Sequence, residues 1–400
     1  MFPTTQPAVS PAVFEDTSVA FAAKTDHQLR KTYWLFAMMN RTRLVNLGTF
    51  FIKLALRLHL PIKKLIRYTI YEQFCGGETI RECESTICHL SESGIGTILD
   101  YSIEGEEEEA VFEETTAEIL RTIDRAAMSK DIPFTVFKVS GIAPNDLLEK
   151  VQRKAVLSPA ETQAYARVVD RVERLCSQAH LRSVRIFFDG EESWIQEVID
   201  DLAYTMMACY NSRQAIVFNT YQLYRHDVLE VYKNAYLNAR KNNYHLGGKL
   251  VRGAYMEKER VRARENNYRS PIQLTKAETD RDYDAAVDFS LEHIDCIEFC
   301  LGTHNEDSCL HCAEKMQKLS LKPGDARVWF AQLLGMSDNL SYNLANLGYN
   351  VAKYVPYGPI DSVMPYLFRR AEENKSIAGQ SSREFLLVKR EMERRNLGAV

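Results

Sequence analysis

The chain lacks the apolar stretch that would cross a bilayer. Its most apolar run near the N-terminus, Phe50 to Leu58, is interrupted by Lys53 and Arg57. No apolar strand-like run is followed by G-x-G-x-x-G, and there is no Walker loop and no H-E-x-x-H helix. Those absences remove the usual dinucleotide, nucleoside-triphosphate and zinc-hydrolase readings. Nine cysteines, an odd number at irregular spacing, exclude a disulfide framework and fit a reducing compartment. Cys309-Leu-His-Cys312, with His304 nearby, has no second ligand pair at a suitable spacing, so no metal is expected. A net charge of −4 gives no global reason to expect nucleic acid. What remains is ordinary globular composition, 46% hydrophobic and 26% charged, and 400 residues suffice for one large barrel or two smaller domains.

Acidic residues are missing in one place. None occurs between Asp26 and Glu72, while Arg30, Lys31, Arg41, Arg43, Lys53, Arg57, Lys63, Lys64 and Arg67 fall there among Phe50, Phe51, Ile52, Leu54, Leu56 and Leu58. Such a stretch reads as a helix packed on the domain with its cations solvated, or as a basic amphipathic element lying on an anionic membrane. No secretory signal is visible, and the first 29 residues contain Glu15, Asp16 and Asp26 but no Arg, unlike a mitochondrial presequence. Residues 1–25 read as a loose terminus. Residues 26–90 read as helices with breaks near Pro61 and Gly76-Gly77, and the acidic run 105–109 as a solvated loop or a helix start.

From residue 96 onward short β-branched runs alternate with longer helical stretches. The runs are 96–102, 134–140, 183–189, 215–221, 248–254, 296–303, 327–333 and 350–355. Strand alternating with helix is the signature of a parallel sheet, and this number of units over about 250 residues matches a closed (β/α)8 barrel. Reactive residues of such barrels lie at the C-terminal strand ends. There the sequence places Asp100 and Glu104, Lys138, Asp189, Asn219 and Gln222, Lys249, Arg252 and Tyr255, His304 and Asn305, Leu333 and Tyr354. Any one of these could simply satisfy a loop; a polar residue on nearly every strand is harder to dismiss, because burying unpaired charge is costly. After the last run, Asp361 or Ser362 can cap a helix with Pro365 in its first turn, and Tyr366, Arg369, Arg370 and Glu373 then share one face. Two adjacent guanidiniums suit a carboxylate or phosphate, against the plainer reading of a surface ion-pair ladder.

These residues resemble the signatures of the proline dehydrogenase family, closest to its eukaryotic-type branch. Lys249-Leu-Val-Arg-Gly-Ala-Tyr255, Thr303-His304-Asn305-Glu306-Asp307, Gln332-Leu-Leu-Gly-Met336 and Tyr354-Val-Pro-Tyr-Gly-Pro359 running into Tyr366 and Arg369-Arg370 carry the likeness. Leu99-Asp100-Tyr-Ser-Ile-Glu104-Gly and Phe218-Asn219-Thr-Tyr-Gln222 also match, so it extends over about 94–395 in order. It implies a distorted (β/α)8 barrel of the TIM type over 94–400, a helical arm over 1–93, and a C-terminal helix lying over the strand ends. It implies FAD held without covalent attachment and oxidation of L-proline to Δ1-pyrroline-5-carboxylate. By matching position, Arg369 and Arg370 clamp the substrate carboxylate, Lys138 reaches it, and Tyr354, Tyr366, Leu333 and Tyr255 form the rest of the pocket. Asp189, Asn219, Lys249, Val251, Arg252, Gly253, Ala254, His304, Asn305 and Glu373 fall to the flavin, and Thr275, Lys276 and Thr279 to its phosphates or adenosine end. Asp189, Lys249 and Tyr255 are the residues nearest the chemistry. Glu104 matches a carboxylate that pairs with Arg369 when the site is empty.

The resemblance also implies a quinone electron acceptor, peripheral contact of residues 28–71 with a membrane, and a separate pyrroline-5-carboxylate dehydrogenase downstream. The expected location is the cytoplasmic side of a bacterial inner membrane, with the mitochondrial matrix face as the alternative. Two departures concern the flavin edge: many bacterial members carry Arg where this chain has Lys249 and Gln where it has Asn219, replacing a fork by a point charge. The nearest rival is a hydroxyproline dehydrogenase, against which Tyr354 argues because its ring crowds a 4-hydroxyl. A rival of another class is a non-catalytic barrel used as a scaffold.

Overall fold

Eight parallel strands close in sequence order into one barrel: β1 (Ile95–Tyr101), β2 (Phe134–Phe137), β3 (Arg185–Phe188), β4 (Val217–Gln222), β5 (Leu246–Val251), β6 (Ile297–Gly302), β7 (Val328–Leu333) and β8 (Val351–Tyr357). β8 pairs with β1 to complete the ring, from Ile95 opposite Val351 to Tyr101 opposite Tyr357. This computed structural model describes residues 11–39, 48, 52, 58, 62–101, 107–376 and 380–398. All eight runs read from the sequence are strands; β2 and β3 fall furthest short of expectation, β2 because Val139–Gly141 coil into a 3-10 turn directly after Lys138.

The helices named here are α1 (Asp26–Met39), α2 (Ile80–Ser91), α3 (Glu109–Ala127), α4 (Pro159–Arg182), α5 (Ser193–Tyr210), α6 (Val228–Asn242), α7 (Lys276–Glu292), α8 (Glu306–Lys318), α9 (Asp338–Asn346), α10 (Ile360–Ser376) and α11 (Gln380–Arg394). Their starts are written locally. Ser158 with Glu161, and Thr275 with Glu278, form capping boxes that satisfy the first amides of α4 and α7. Strand residues facing outward meet the helices in one large core that includes Leu99, Ile186, Leu250, Leu301 and Val355. Those facing inward fill the barrel with Ile98, Phe134, Val136, Phe187, Phe218, Cys300, Ala352 and Tyr354. Phe134 stacks on Phe187 at 4.5 Å and meets Trp329 edge-on at 5.3 Å, so the interior is an aromatic plug beneath the strand ends.

The barrel is irregular where the ring closes. In a regular barrel the helix after the last strand packs beside it. Here α2 does so instead: Cys83, Ile87 and Leu90 join the main core beside Ile95 and Leu99. α10 belongs to a separate cluster in which Val363, Met364, Tyr366 and Leu367 meet Met336 and Leu333 from the end of β7. The same cluster takes Phe36 and Met39 from α1, Ile66, Tyr71 and Phe74 from the helical segment 63–74, and Cys75 just after it. The last helix therefore covers the strand ends, and the N-terminal arm packs against it. Tyr71 Oη donates to the Gly358 carbonyl at 2.9 Å and the Gly76 amide to that of Pro356 at 2.9 Å.

Two local expectations change, and one resolves between its alternatives. Residues 11–25 are not loose, because Phe14 and Phe21 act as buried anchors (each 1% exposed) and Asn339 Nδ2 donates to the Phe14 carbonyl. α10 starts at Ile360, so Asp361 and Ser362 lie within it and Pro365 falls past the first turn; the break is set by Gly358 (φ +138) and Pro359, whose carbonyl accepts from Ser362 and Val363. The run 105–109 resolves at its end into a helix start, where Glu109 pairs with Arg167 and Arg171. Most of the basic stretch between 40 and 61 lies outside the described residues, and no described helix is long and apolar enough to cross a membrane.

Gly335 measures how tightly the arm is docked. It sits at φ +75, and a Cβ there would lie 2.1 Å from the Gln73 carbonyl oxygen, whereas Gly348 at φ +85 has open space. Gly348→Ala should cost about 1 kcal/mol of backbone strain and Gly335→Ala about 3 kcal/mol, because the arm must also shift. Chemical denaturation of the two variants checks this; equal losses would show that the arm is not packed as described.

Candidate active site

β5 sends Leu250 outward into the main core and Lys249 inward, where it is 4% exposed. A buried ammonium needs an anion close by. Asp189, one residue past β3, supplies it with a hydrogen bond from Lys249 Nζ. The same ammonium donates to Tyr354 Oη at 2.6 Å, and Tyr354 Oη donates to Asp189 at 3.3 Å. Lys138 lies 3.5 Å from the other oxygen of Asp189 and 4.0 Å from Asp100. Beneath them the rings of Phe187 and Tyr354 lie 5.1 and 4.8 Å from the Lys249 nitrogen, within cation–π range. Burial acts to raise the Asp189 carboxyl, but Lys249 and Lys138 outweigh it and hold it below the usual carboxylate range. Burial, then the Asp189 charge, pushes the Tyr354 phenol well up, so it keeps its proton.

The other side of the mouth is built from β5 to β8. Arg252 is fixed by Asp280 at 2.7 Å, Thr303 Oγ1 at 2.7 Å and Ser308 Oγ at 3.0 Å, with Tyr283 under its guanidinium at 4.4 Å. Asp280 also pairs with Lys276 at the start of α7, which brings Arg252, Lys276 and Thr279 into one neighbourhood. Gly253 follows at φ +134, where a Cβ would meet the Tyr224 ring at 2.4 Å, so only glycine fits. Gly253 and Ala254 are both exposed just past the end of β5. His304 Nδ1 lies 2.9 Å from Ser337 Oγ, and burial together with the cations Lys353, Arg370 and Arg252 pushes its pKa down to about 3. The imidazole is therefore neutral. Asn305 Oδ1 accepts from the Ser308 amide and caps α8. From above, α10 brings Tyr366 and Arg370, both 6% exposed, with the guanidinium 5.1 Å from the ring of Tyr366.

The structure thus gathers Lys249, Asp189 and Tyr354 into one hydrogen-bonded group, which Lys138 joins as an ion pair. Leu333 lies opposite Tyr354 in register, and Val251 faces the mouth against Gly302. Tyr255 is buried under Lys258, while Thr275 spends its hydroxyl capping α7. Asn219 does not join them. It pairs in register with Gly248, which faces outward against Tyr232, and its Nδ2 donates to Asp200 of α5 at 2.8 Å. The alternation of strand side chains assigns the mouth to Thr220 and Gln222 instead, and Gln222, opposite Val251, donates to the Glu191 carbonyl at 2.6 Å. Glu104, the side chain of Glu373, and with them the Glu104–Arg369 pair, lie outside what the structure describes.

Glu191 was not legible as a site residue. It stands two residues after Asp189, and its carboxylate accepts from both the amide and hydroxyl of Ser140, two residues after Lys138. It therefore ties together the loops that carry the Lys138–Asp189 pair. Only the residue type in Asp189-Gly-Glu191 hinted at this.

A model of the Proline dehydrogenase family matches residues 83–383, and so takes in every strand of the barrel. The chain belongs to that family. A Pectobacterium carotovorum protein named carbapenem antibiotics biosynthesis protein CarD is 37% identical over 327 residues, 82% of this chain and 85% of that one. The mitochondrial proline dehydrogenase 1 of Dictyostelium discoideum is 31% identical over 428 residues, 95% of this chain and 74% of that protein. A hydroxyproline dehydrogenase of Xenopus laevis is also 31% identical, covering 82% of this chain and 78% of its own length. Among solved structures, proline utilization A from Bdellovibrio bacteriovorus aligns with a TM-score of 0.70 over 91% of this chain at 17% identity. The present chain spans 37% of that longer protein, and at this identity the likeness concerns the fold.

Glu191 yields a test of the site's electrostatics. Burial pushes its pKa up to about 7. Between pH 4.5, its ordinary value, and about 7 the native state holds a proton that the unfolded state releases, so its contribution to stability falls as pH rises through that window. The full swing is about 3 kcal/mol. Glu191→Gln should flatten the fall in unfolding free energy across that window; an unchanged slope would contradict the assignment.

Proposed function

We propose that the protein oxidises L-proline to Δ1-pyrroline-5-carboxylate, the first step of proline catabolism, with FAD as the hydride acceptor. The observation that carries this is the buried Lys249–Asp189–Tyr354 group at the mouth, roofed by a helix bearing Tyr366 and Arg370. The residues fit a flavin. Gly253 is held where no Cβ can stand, next to the exposed Ala254, and Arg252 and Lys276, which share Asp280, offer the cations a diphosphate would need. Lys249, Val251, Arg252, Gly253, Ala254, His304, Asn305 and Gln222 would line its ring and ribityl side, and Thr275, Lys276 and Thr279 its far end.

Bound FAD supplies an electron sink for a hydride leaving the ring carbon beside the substrate nitrogen. The protein does the rest. Arg369, Arg370 and Lys138 hold the carboxylate at one end of a small rigid ring, which fixes the reacting carbon by positioning. Tyr354, Tyr366, Leu333 and Tyr255 pack the ring and exclude water. Lys249, paired with Asp189, stabilises negative charge that develops at the flavin edge. Tyr354 at the pocket wall favours proline over its 4-hydroxy derivative.

Electrons then pass to a quinone, and the product goes to a separate pyrroline-5-carboxylate dehydrogenase. Residues 28–71 make the peripheral membrane contact. In support, Leu29, Phe36, Met39, Ile66 and Tyr71 already face the core, yet Trp34, Met38, Leu65 and Tyr68 of the same segments remain exposed. The location proposed is the cytoplasmic face of a bacterial inner membrane; the mitochondrial relatives favour the matrix face as the alternative.

Anaerobic addition of L-proline should bleach the oxidised flavin band at lower concentration than trans-4-hydroxy-L-proline does. A yellow protein bleached by neither would contradict the substrate, and one unable to take up FAD would restore the scaffold reading. Arg370→Ala should raise the KM for proline about 10- to 100-fold, the worth of a charged hydrogen-bonded contact. The substrate amine must be neutral to lose hydride, while His304, at about 3, stays neutral throughout, so the rate should rise with pH between 6 and 9. A flat profile there would contradict the mechanism.

A further inference from the structure

Ser337 occupies an unusual backbone state. It stands immediately before α9 with φ 50, in the left-handed region, and makes no capping bond to that helix. A serine at this position ordinarily has extended backbone and turns its hydroxyl onto the helix's own amides. Left-handed backbone costs a non-glycine residue about 1–2 kcal/mol, and it persists where the surroundings impose it. The surroundings here are specific. The Ser337 hydroxyl lies 2.9 Å from His304 Nδ1, and its amide donates to the carboxylate of Glu384 on α11, which is 5% exposed. Lys353, fully buried, donates to the Met336 carbonyl and pairs with Asp338 at 3.0 Å, so the residues on both sides of Ser337 are pinned. Arg383, next to Glu384, pairs with Glu306, two residues after His304. Two adjacent residues of α11 therefore hold two loops, Arg383 the one after His304 and Glu384 the one at Ser337.

We propose that Ser337 and Glu384 are positioning residues for His304, and that the chain Glu384–Ser337–His304 fixes the orientation and tautomer the imidazole presents to the flavin. This rests on the reading of His304 as a flavin neighbour. Burial and the nearby Asp338 charge raise the Glu384 carboxyl to about 7, while the amide and hydroxyl of Ser337 and the Lys353 charge oppose the rise. Its oxygen accepts from the buried Ser337 amide, so the carboxyl holds the backbone that carries the hydroxyl facing His304.

Ser337→Gly separates positioning from stability. Glycine suits φ 50 and keeps the amide that meets Glu384, so only the hydroxyl is lost. Its unfolding midpoint should hold or rise, while FAD binding to the apoprotein, followed by flavin fluorescence, weakens about fivefold. Glu384→Ala should weaken FAD binding about tenfold and shift the flavin midpoint potential, and Glu384→Gln, which keeps an accepting oxygen, should restore both. Neither change should weaken binding further in a His304→Phe background. Unchanged FAD affinity in Ser337→Gly and Glu384→Ala, or losses that add in full to that of His304→Phe, would overturn the proposal while leaving the flavin reading intact. Unchanged affinity in His304→Phe alone would overturn the flavin reading at His304 and the proposal with it.

Discussion

A lysine ammonium inside a closed barrel must be matched by an anion, and that requirement organises this molecule. Lys249 cannot leave, because alternation along β5 commits it to the interior. Asp189 answers it, Tyr354 shares both, and Lys138 joins from the next loop. The group needs the ends of β2, β3, β5 and β8 in fixed relation, which explains the bonds behind it: Glu191 to Ser140 and Gln222 to the Glu191 carbonyl. The aromatic plug below excludes water, which strengthens the pairing and makes any misplacement costly.

The same requirement explains the departure from a regular barrel. A cationic mouth has to be covered if a small substrate is to react away from water. α10 gives up its place between β8 and β1 and lies over the strand ends, and α2 fills the slot it leaves. The arm then supports α10 through Tyr71, Phe74 and Cys75, and α11 braces the β6 and β7 loops through Arg383 and Glu384. The parts of the chain outside the barrel thus serve its mouth.

The barrel itself was open to view in the sequence. Strands buried on both faces read as apolar, β-branched runs, and all eight could be placed to within a few residues. The cations at the mouth were legible for the opposite reason, since charge at a strand end stands out from an apolar run. Asn219 misled because a motif match ranks residues by type, whereas the pleat decides which way each one points; counting two forward from Lys249's partner Thr220 leaves Gln222 on the face of Lys249. Phe14 and Phe21 were hidden among Pro, Thr and Ala because two aromatics make no period. Glu191, Ser337 and Glu384 act through contacts between residues distant in the chain, and no local pattern carries such a signal.

The most direct test of the account is a crystal structure of the FAD-loaded protein with a non-oxidisable analogue, a saturated five-membered ring carboxylic acid with oxygen in place of the ring nitrogen. The account predicts the carboxylate on Arg369, Arg370 and Lys138, the ring against Tyr354, and the flavin edge beside Lys249. A carboxylate held elsewhere, or a flavin remote from Lys249, would contradict it.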